Sequence, residues 1–245
     1  MIYIKKWTEY YEDFFSVEPH QEEFFSALGS EFPSPSKFLS VECGAALLSE
    51  KLQDKCDITL TDSFPEFVNI VNAHQVHKEN PIHVFNLNPA DIARYLGKNF
   101  FNVICCLSYR IIFMKDRILI KKFLFDSRML LSDGGYLVID NLNFSKYDFS
   151  QTKIELPAKK TERATLYSSV IKNTDTTSYK LFQHIVTSSG KVIDVIRDEV
   201  ICPISMESFK SYAKEVGFSS CEFYNDYKKT PYSTDSDKII CVLKK

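Results

Sequence analysis

No long hydrophobic run, no CxxC pair and no excess of charge of either sign occurs in these 245 residues, and each absence removes a class of function. The longest apolar stretch, Asn99 to Tyr109, falls well short of the roughly 20 residues needed to span a bilayer and is closed by Arg110, so no membrane association is expected. Without CxxC, a zinc site of the common kind has no ligand frame, and no metal is expected. The 30 basic and 32 acidic residues leave a net charge of −2, which offers no overall field for nucleic acid. The N-terminus runs at once into Glu9, Glu12 and Asp13 instead of an apolar segment with a cleavage site, which argues against secretion. The seven cysteines are odd in number and lie mostly in apolar runs, as small buried hydrophobes of a reducing compartment do. A soluble, cytoplasmic protein is expected.

What is present is a globular composition, 44% hydrophobic and 14% aromatic, enough for a sizeable core. From residue 37, short apolar runs alternate with helical patterns, the signature of parallel strands with crossover helices, so the fold class is α/β. Lys37–Val41, Ile58–Thr61, Ile82–Phe85, Val103–Leu107 and Tyr136–Asp140 are the strand candidates. Phe64, Phe67, Val68 and Val71 mark one helix face between them, and Ile120, Phe123 and Leu124 another. Residues 1–36, rich in aromatics, read as a cap of two short helices. After residue 151 the pattern turns to hairpins: Ala164–Ile171, Tyr179–Thr187 and Val192–Ile201 are β-rich and joined by turn residues at Asn173–Thr176 and Ser188–Lys191. Residues 152–202 are therefore expected as an antiparallel layer inserted into a core formed by 37–151 and 203–245. A helix from Ser205 to Gly217 and two strands close the chain, bringing the strand candidates of the core to seven.

Three features fall where an open parallel sheet binds ligands, beyond the carboxyl ends of its strands. Ser40-Val41-Glu42-Cys43-Gly44-Ala45-Ala46 leaves the first strand and enters a helix. Asp62 closes the second strand, 18 residues beyond Gly44, where an acidic side chain can accept hydrogen bonds from ribose hydroxyls. Asp133-Gly134-Gly135 stands before the fifth strand and reads as a turn.

In this order the chain resembles the class I S-adenosylmethionine-dependent methyltransferases from about residue 37 to its end. Phe38 to Ala46 lies over the family's strand and Asp-x-Gly-Cys-Gly-Thr-Gly motif, and Asp62-Ser63-Phe64-Pro65-Glu66 over its Asp-Leu-Ser-Pro-Glu. Phe101-Asn102-Val103-Ile104 and Leu131-Ser132-Asp133-Gly134-Gly135 follow the later motifs. The resemblance implies a Rossmann-like sheet of seven strands, mostly parallel with the last antiparallel, and S-adenosyl-L-methionine across its carboxyl edge. Ser40, Glu42, Gly44 and Ala46 would face its methionine end, Asp62 and Ser63 the ribose, Asn88 the adenine, and Leu107 and Ser108 the strand-four side. Tyr10, Tyr11, Tyr109 and Arg110 would lie toward the substrate. The departures are that Ser40 replaces the motif's acid while Glu42 and Ala46 replace two of its glycines. Glu42 either supplies the missing charge from a shifted position or crowds the methionine moiety.

Simpler roles compete at several positions. Asp62 or Ser63 can cap the helix beginning near Pro65, and Gly44 can serve packing alone. Cys105 and Cys106 read as core, and Lys121-Lys122, Lys159-Lys160 and Lys228-Lys229 as solvated faces. His74 and His77 lack a third ligand for a metal. The expected function is S-adenosylmethionine-dependent methyl transfer to a small-molecule acceptor, compatible with a homodimer and with no nucleic acid; the alternative is a catalytically degenerate methyltransferase-fold protein acting as a binding or regulatory module. A nicotinamide oxidoreductase is disfavoured by the missing GxGxxG.

Overall fold

The structure, a computed structural model, describes residues 1–76, 78, 81–172 and 178–245; His77 and the turn at Asn173–Thr176 thus lie outside the described residues. The N-terminal aromatics recur at Trp7, Tyr10, Tyr11 and Phe14, and this spacing gives α1 (Ile4–Phe14) a single buried face. It is followed by α2 (Gln21–Gly29). Then β1 (Ser36–Val41), α3 (Leu47–Leu52), β2 (Cys56–Asp62), α4 (Pro65–Gln75), β3 (His83–Asn86), α5 (Ile92–Tyr95) and β4 (Phe101–Cys106) alternate as strand and crossover. A 3-10 turn at Arg110–Phe113, α6 (Arg117–Leu130) and β5 (Leu131–Leu142) complete this half. The inserted strands are β6 (Lys153–Lys160), β7 (Ala164–Lys172), β8 (Tyr179–Thr187) and β9 (Val192–Ile201), after which α7 (Met206–Val216), β10 (Ser220–Tyr224) and β11 (Lys238–Lys244) end the chain.

The main sheet has seven strands in the order β10-β11-β5-β4-β1-β2-β3. The ladders among β1 to β5 are parallel, and β11 runs antiparallel to both β5 and β10. Period-two alternation divides its side chains between two cores. Leu39, Val41, Ile104, Cys106, Leu137, Ile139, Cys241 and Leu243 face one side, in the same cluster as α1, α6, α7 and the inserted strands. Phe38, Val103, Cys105, Val138 and Ile240 face the other, against α2 and α3. The inserted strands form their own antiparallel sheet, β6-β7-β8-β9. It is tied to the N-terminus by a bridge between Ile2 and Ile196 and by Tyr3 N donating to Val195 O at 2.9 Å.

Two expectations are corrected. Asp133-Gly134-Gly135 is not a turn ahead of the fifth strand but part of β5: Phe101 pairs with Leu131 and Val103 with Tyr136, so the β5 backbone bulges between these pairs. Gly135 is needed there, because a Cβ would stand 3.0 Å from the Asn102 carbonyl oxygen and 2.9 Å from that of Ser132. The inserted layer also has a strand that the hairpin pattern does not announce. β6 sits at the sheet edge and carries Pro157, and its pairing with β7 shifts between Leu156 and Lys159, which is where proline is tolerated in a sheet.

Candidate functional site

The loop after β1 holds Glu42, Gly44 and Ala46 at φ 54°, 58° and 59°. Alternate residues in the left-handed region are what a glycine-rich loop provides, yet only the middle one is glycine. Glu42 and Ala46 therefore carry backbone strain of about 1–3 kcal/mol each. Gly44 has no room for a side chain, since a Cβ there would lie 2.6 Å from the Tyr11 hydroxyl.

Arg110 dominates the middle of the cleft. The backbone turns sharply through Ser108 and Tyr109, at φ 57° and 61°, and sends this guanidinium beneath the β1 and β2 ends, where it is 1% exposed. Its Nη2 pairs with Glu42 Oε2 and donates to Asp62 Oδ1 at 3.1 Å and Oδ2 at 3.3 Å. Asp62 is fully enclosed and also accepts from Gly44 N and Phe64 N, each at 2.9 Å. Glu42 accepts from Ser63 N at 3.2 Å. The rings of Trp7, Phe64 and Phe67 each stand 5.3 Å from the guanidinium carbon. Two carboxylates thus share one cation. Burial pushes the Asp62 pKa up to about 6 against the opposing pull of Arg110. Burial also opposes the charge of Arg110, but Asp62 and Glu42 outweigh it and hold the guanidinium protonated.

Cavities open on both sides of this ion cluster. One, about 460 Å³, takes in Ser63, Phe64, Asn88, Phe113 and Glu42. Asn88 Oδ1 accepts from Ala90 N at 2.9 Å, folding its own loop. The other, about 290 Å³, takes in Tyr11, Ser40, Glu42, Ala46, Leu107, Ser108 and Tyr109, and with them Glu18, Asp140, Lys159 and Lys238. Ser40 stands opposite Cys105 on the neighbouring strand, whose thiol burial pushes up to about 12. Tyr10 stands apart, packed against Arg163 at 5.1 Å. Thus nearly all the residues singled out by sequence gather at one sheet edge, but Arg110, expected to face an acceptor, is turned inward onto Glu42 and Asp62.

Sequence reasoning missed Asp140 and Lys159. Asp140 stands near the carboxyl end of β5, the same signal that singles out Asp62. Lys159, read as part of a solvated pair, is instead enclosed between the rings of Phe15 and Tyr109, at 4.1 and 4.8 Å, whereas Lys160 is exposed. Its separation from those rings in sequence hides this. His74 pairs with Glu50 at 3.0 Å, and among the described residues no three acidic, His or Cys side chains converge as a metal site. Cys105 and Cys106 are fully buried in the sheet. Among the described residues no helix is long and apolar enough to cross a membrane.

No protein family or curated protein matches the sequence. Solved structures do match its shape over nearly the whole length. The CcbJ methyltransferase of Streptomyces caelestis superposes with a TM-score of 0.80 at 12% identity, covering 97% of this chain and 95% of that one. An S-adenosylmethionine-dependent methyltransferase of Clostridium acetobutylicum gives 0.77 at 14%, covering 98% of each. The amino pentose methyltransferase CalS10 of Micromonospora echinaspora, solved with S-adenosylmethionine bound, gives 0.64 at 12%, covering 99% of this chain and 98% of that one.

The Asp62 carboxylate departs from the open ribose site that the resemblance implies. Its oxygens are taken by Gly44 N, Phe64 N and Arg110, leaving no open carboxylate face for a ribose diol, and the Glu42 side chain fills a position where the motif has glycine. The chain nonetheless has, from end to end, the fold of the class I S-adenosylmethionine-dependent methyltransferases.

Proposed function

We propose that this chain is a methyltransferase-fold protein that binds a small polar molecule at the carboxyl edge of its sheet and serves as a binding or regulatory module, without catalysing methyl transfer. The observation that carries this reading is Arg110, whose guanidinium pairs with both Glu42 and Asp62 in the middle of the cleft. A surface charge drifting into a cleft would be easily displaced. This one is 1% exposed, ringed by three aromatic side chains and matched to two buried carboxylates. Removing it from that setting costs several kcal/mol. A small ligand is favoured over nucleic acid by the net charge of −2, and a cytoplasmic setting by the seven free cysteines.

One observation favours the second reading, S-adenosylmethionine-dependent methyl transfer to a small-molecule acceptor. The cavities of about 460 and 290 Å³ lie on the two sides of the ion cluster, where the resemblance puts the adenine and methionine ends of the donor. That reading requires Arg110 to leave its carboxylates.

Calorimetric titration of the purified protein with S-adenosylmethionine and S-adenosylhomocysteine separates the two. The expected result is no binding of either by the native chain, with binding gained in the double variant Glu42→Gly with Arg110→Ala, which reopens the loop and frees Asp62. Saturable binding by the native chain overturns the module reading and supports the enzyme. Light scattering on the same sample tests the expected homodimer.

A further inference from the structure

Five charged side chains line the 290 Å³ cavity, and ion pairing accounts for three of them. Glu18 pairs with Lys238, and Glu42 pairs with Arg110. Asp140 and Lys159 remain. Asp140, 2% exposed, accepts from Tyr109 N through Oδ1 and from the Tyr227 hydroxyl through Oδ2, each at 3.0 Å, and has no ion-pair partner within 4.0 Å among the described residues. Each oxygen keeps a second lone pair. The Lys159 ammonium donates to the Phe14 carbonyl at 3.3 Å and lies over the rings of Phe15 and Tyr109, likewise without a carboxylate within 4.0 Å among the described residues. One unpaired anion and one unpaired cation therefore line the same chamber from different sheets, β5 and the inserted β6.

Leaving both unpaired is costly, and the molecule shows that cost: burial pushes Asp140 up and Lys159 down to about 8. A smaller cavity of about 40 Å³ shares Lys159, Phe15, Ser108 and Tyr109 with it and is lined also by Trp7 and Gln183. There the Trp7 Nε1 donor and the Gln183 Oε1 acceptor are buried without partners. Unmatched polar groups lining two cavities that meet at Lys159 call for a ligand that matches them.

We infer that the molecule held in this cleft is a small zwitterion, a free α-amino acid or a compound of that chemistry, with its oxyanion on Lys159 and its ammonium on Asp140. A lone anion would satisfy Lys159 but leave Asp140 unpaired and meet its repulsion. A lone amine would do the reverse. A zwitterion satisfies both and adds no net charge to a cavity whose other charges are already paired. The inference rests on the proposed binding role and gives it a ligand class.

The test is a thermal-shift and calorimetric screen of the full chain against the standard L-amino acids one at a time, each hit being repeated with its decarboxylated amine and its deaminated acid. The expected result is saturable binding of at least one amino acid, with both matched compounds weaker by roughly tenfold or more. Lys159→Met and Asp140→Asn should each weaken the hit by a similar factor, while Lys159→Arg, which keeps the charge, should retain most of the affinity. The inference is overturned if no amino acid binds at about 10 mM, a concentration that would detect even very weak affinity. It is also overturned if the deaminated acid binds as well as the amino acid, or if Lys159→Met, still folded, binds unchanged. The matched compounds act on the native chain, so the result does not depend on any variant folding. Binding of S-adenosylmethionine in the same series would overturn the module reading. An amino-acid screen that fails while the cofactor also fails to bind overturns this inference alone.

Discussion

Arg110 gives one positive charge to two buried carboxylates, and the properties of the cleft follow from that shortfall. Removing the guanidinium would leave Glu42 and Asp62 buried, close together and uncompensated. Arg110→Met should therefore destabilise the fold by about 3–5 kcal/mol near neutral pH, as expected when one partner of a buried pair is lost. The pH dependence has a definite sign. Asp62 has a folded pKa of about 6 against 3.8 for an exposed aspartate, so folding takes up a proton there between those values. Its contribution to stability is full below about 3.8 and is lost as pH rises through about 6. In Arg110→Met that window should widen upward, because the cation opposing the shift is gone. Urea unfolding of native and variant chains between pH 4 and pH 7 should show the deficit shrinking on acidification. A deficit constant with pH would mean that Arg110 acts through packing alone.

At the scale of elements, the segment that delivers Arg110 is held at both ends. Upstream, Asp140 accepts from Tyr109 N at 3.0 Å, fixing the left-handed turn to the end of β5. Downstream, Asp116 caps α6 by accepting from Leu119 N at 2.8 Å. The Asp116 side chain is exposed and touches no part of the cleft, so its removal isolates the cap. Asp116→Ala should cost about 1 kcal/mol of stability, read as a shift in denaturation midpoint without a change of slope. Asp116→Asn, which keeps the acceptor, should lose little.

At the scale of the molecule, the inserted sheet is part of the main core and not an appendage. Leu166, Val170, Ile185 and Val195 belong to the same buried cluster as Leu39, Ile104 and Leu137. The N-terminus is bonded to β9, and the Asp13 carboxylate on α1 pairs with Arg163 at 2.9 Å. A single apolar cluster joining both sheets implies one cooperative unit. Thermal unfolding followed by far-ultraviolet dichroism and by the fluorescence of Trp7, which sits where α1 meets the cleft, should give coincident transitions. Two separated transitions would show that the layer unfolds independently of the sheet.

The alternation of apolar runs and helix faces sufficed to specify the α/β class, the seven-stranded sheet and most of the inserted layer, because burial on both faces of a strand or one face of a helix leaves a local period. The sheet edge was legible for the same reason: Ser40, Glu42, Gly44, Asp62, Asn88 and Ser108 lie at or just beyond the ends of predicted strands, and strand ends in an open parallel sheet share one edge. Local patterns could not show which of these charges meet. Arg110 lies 68 residues from Glu42 and 48 from Asp62. The pairing depends on where the Ser108–Tyr109 turn aims a long, flexible side chain, which no short-range spacing encodes. Lys159 was likewise indistinguishable from its exposed neighbour Lys160, since enclosure by Phe15 and Tyr109 exists only after β6 has docked beside α1. The sequence by itself determined the scaffold and the edge at which chemistry gathers. Only the tertiary structure decided which carboxylates are neutralised and which charges remain for a ligand, because ion pairing is set by distances of a few ångströms between segments far apart in the chain.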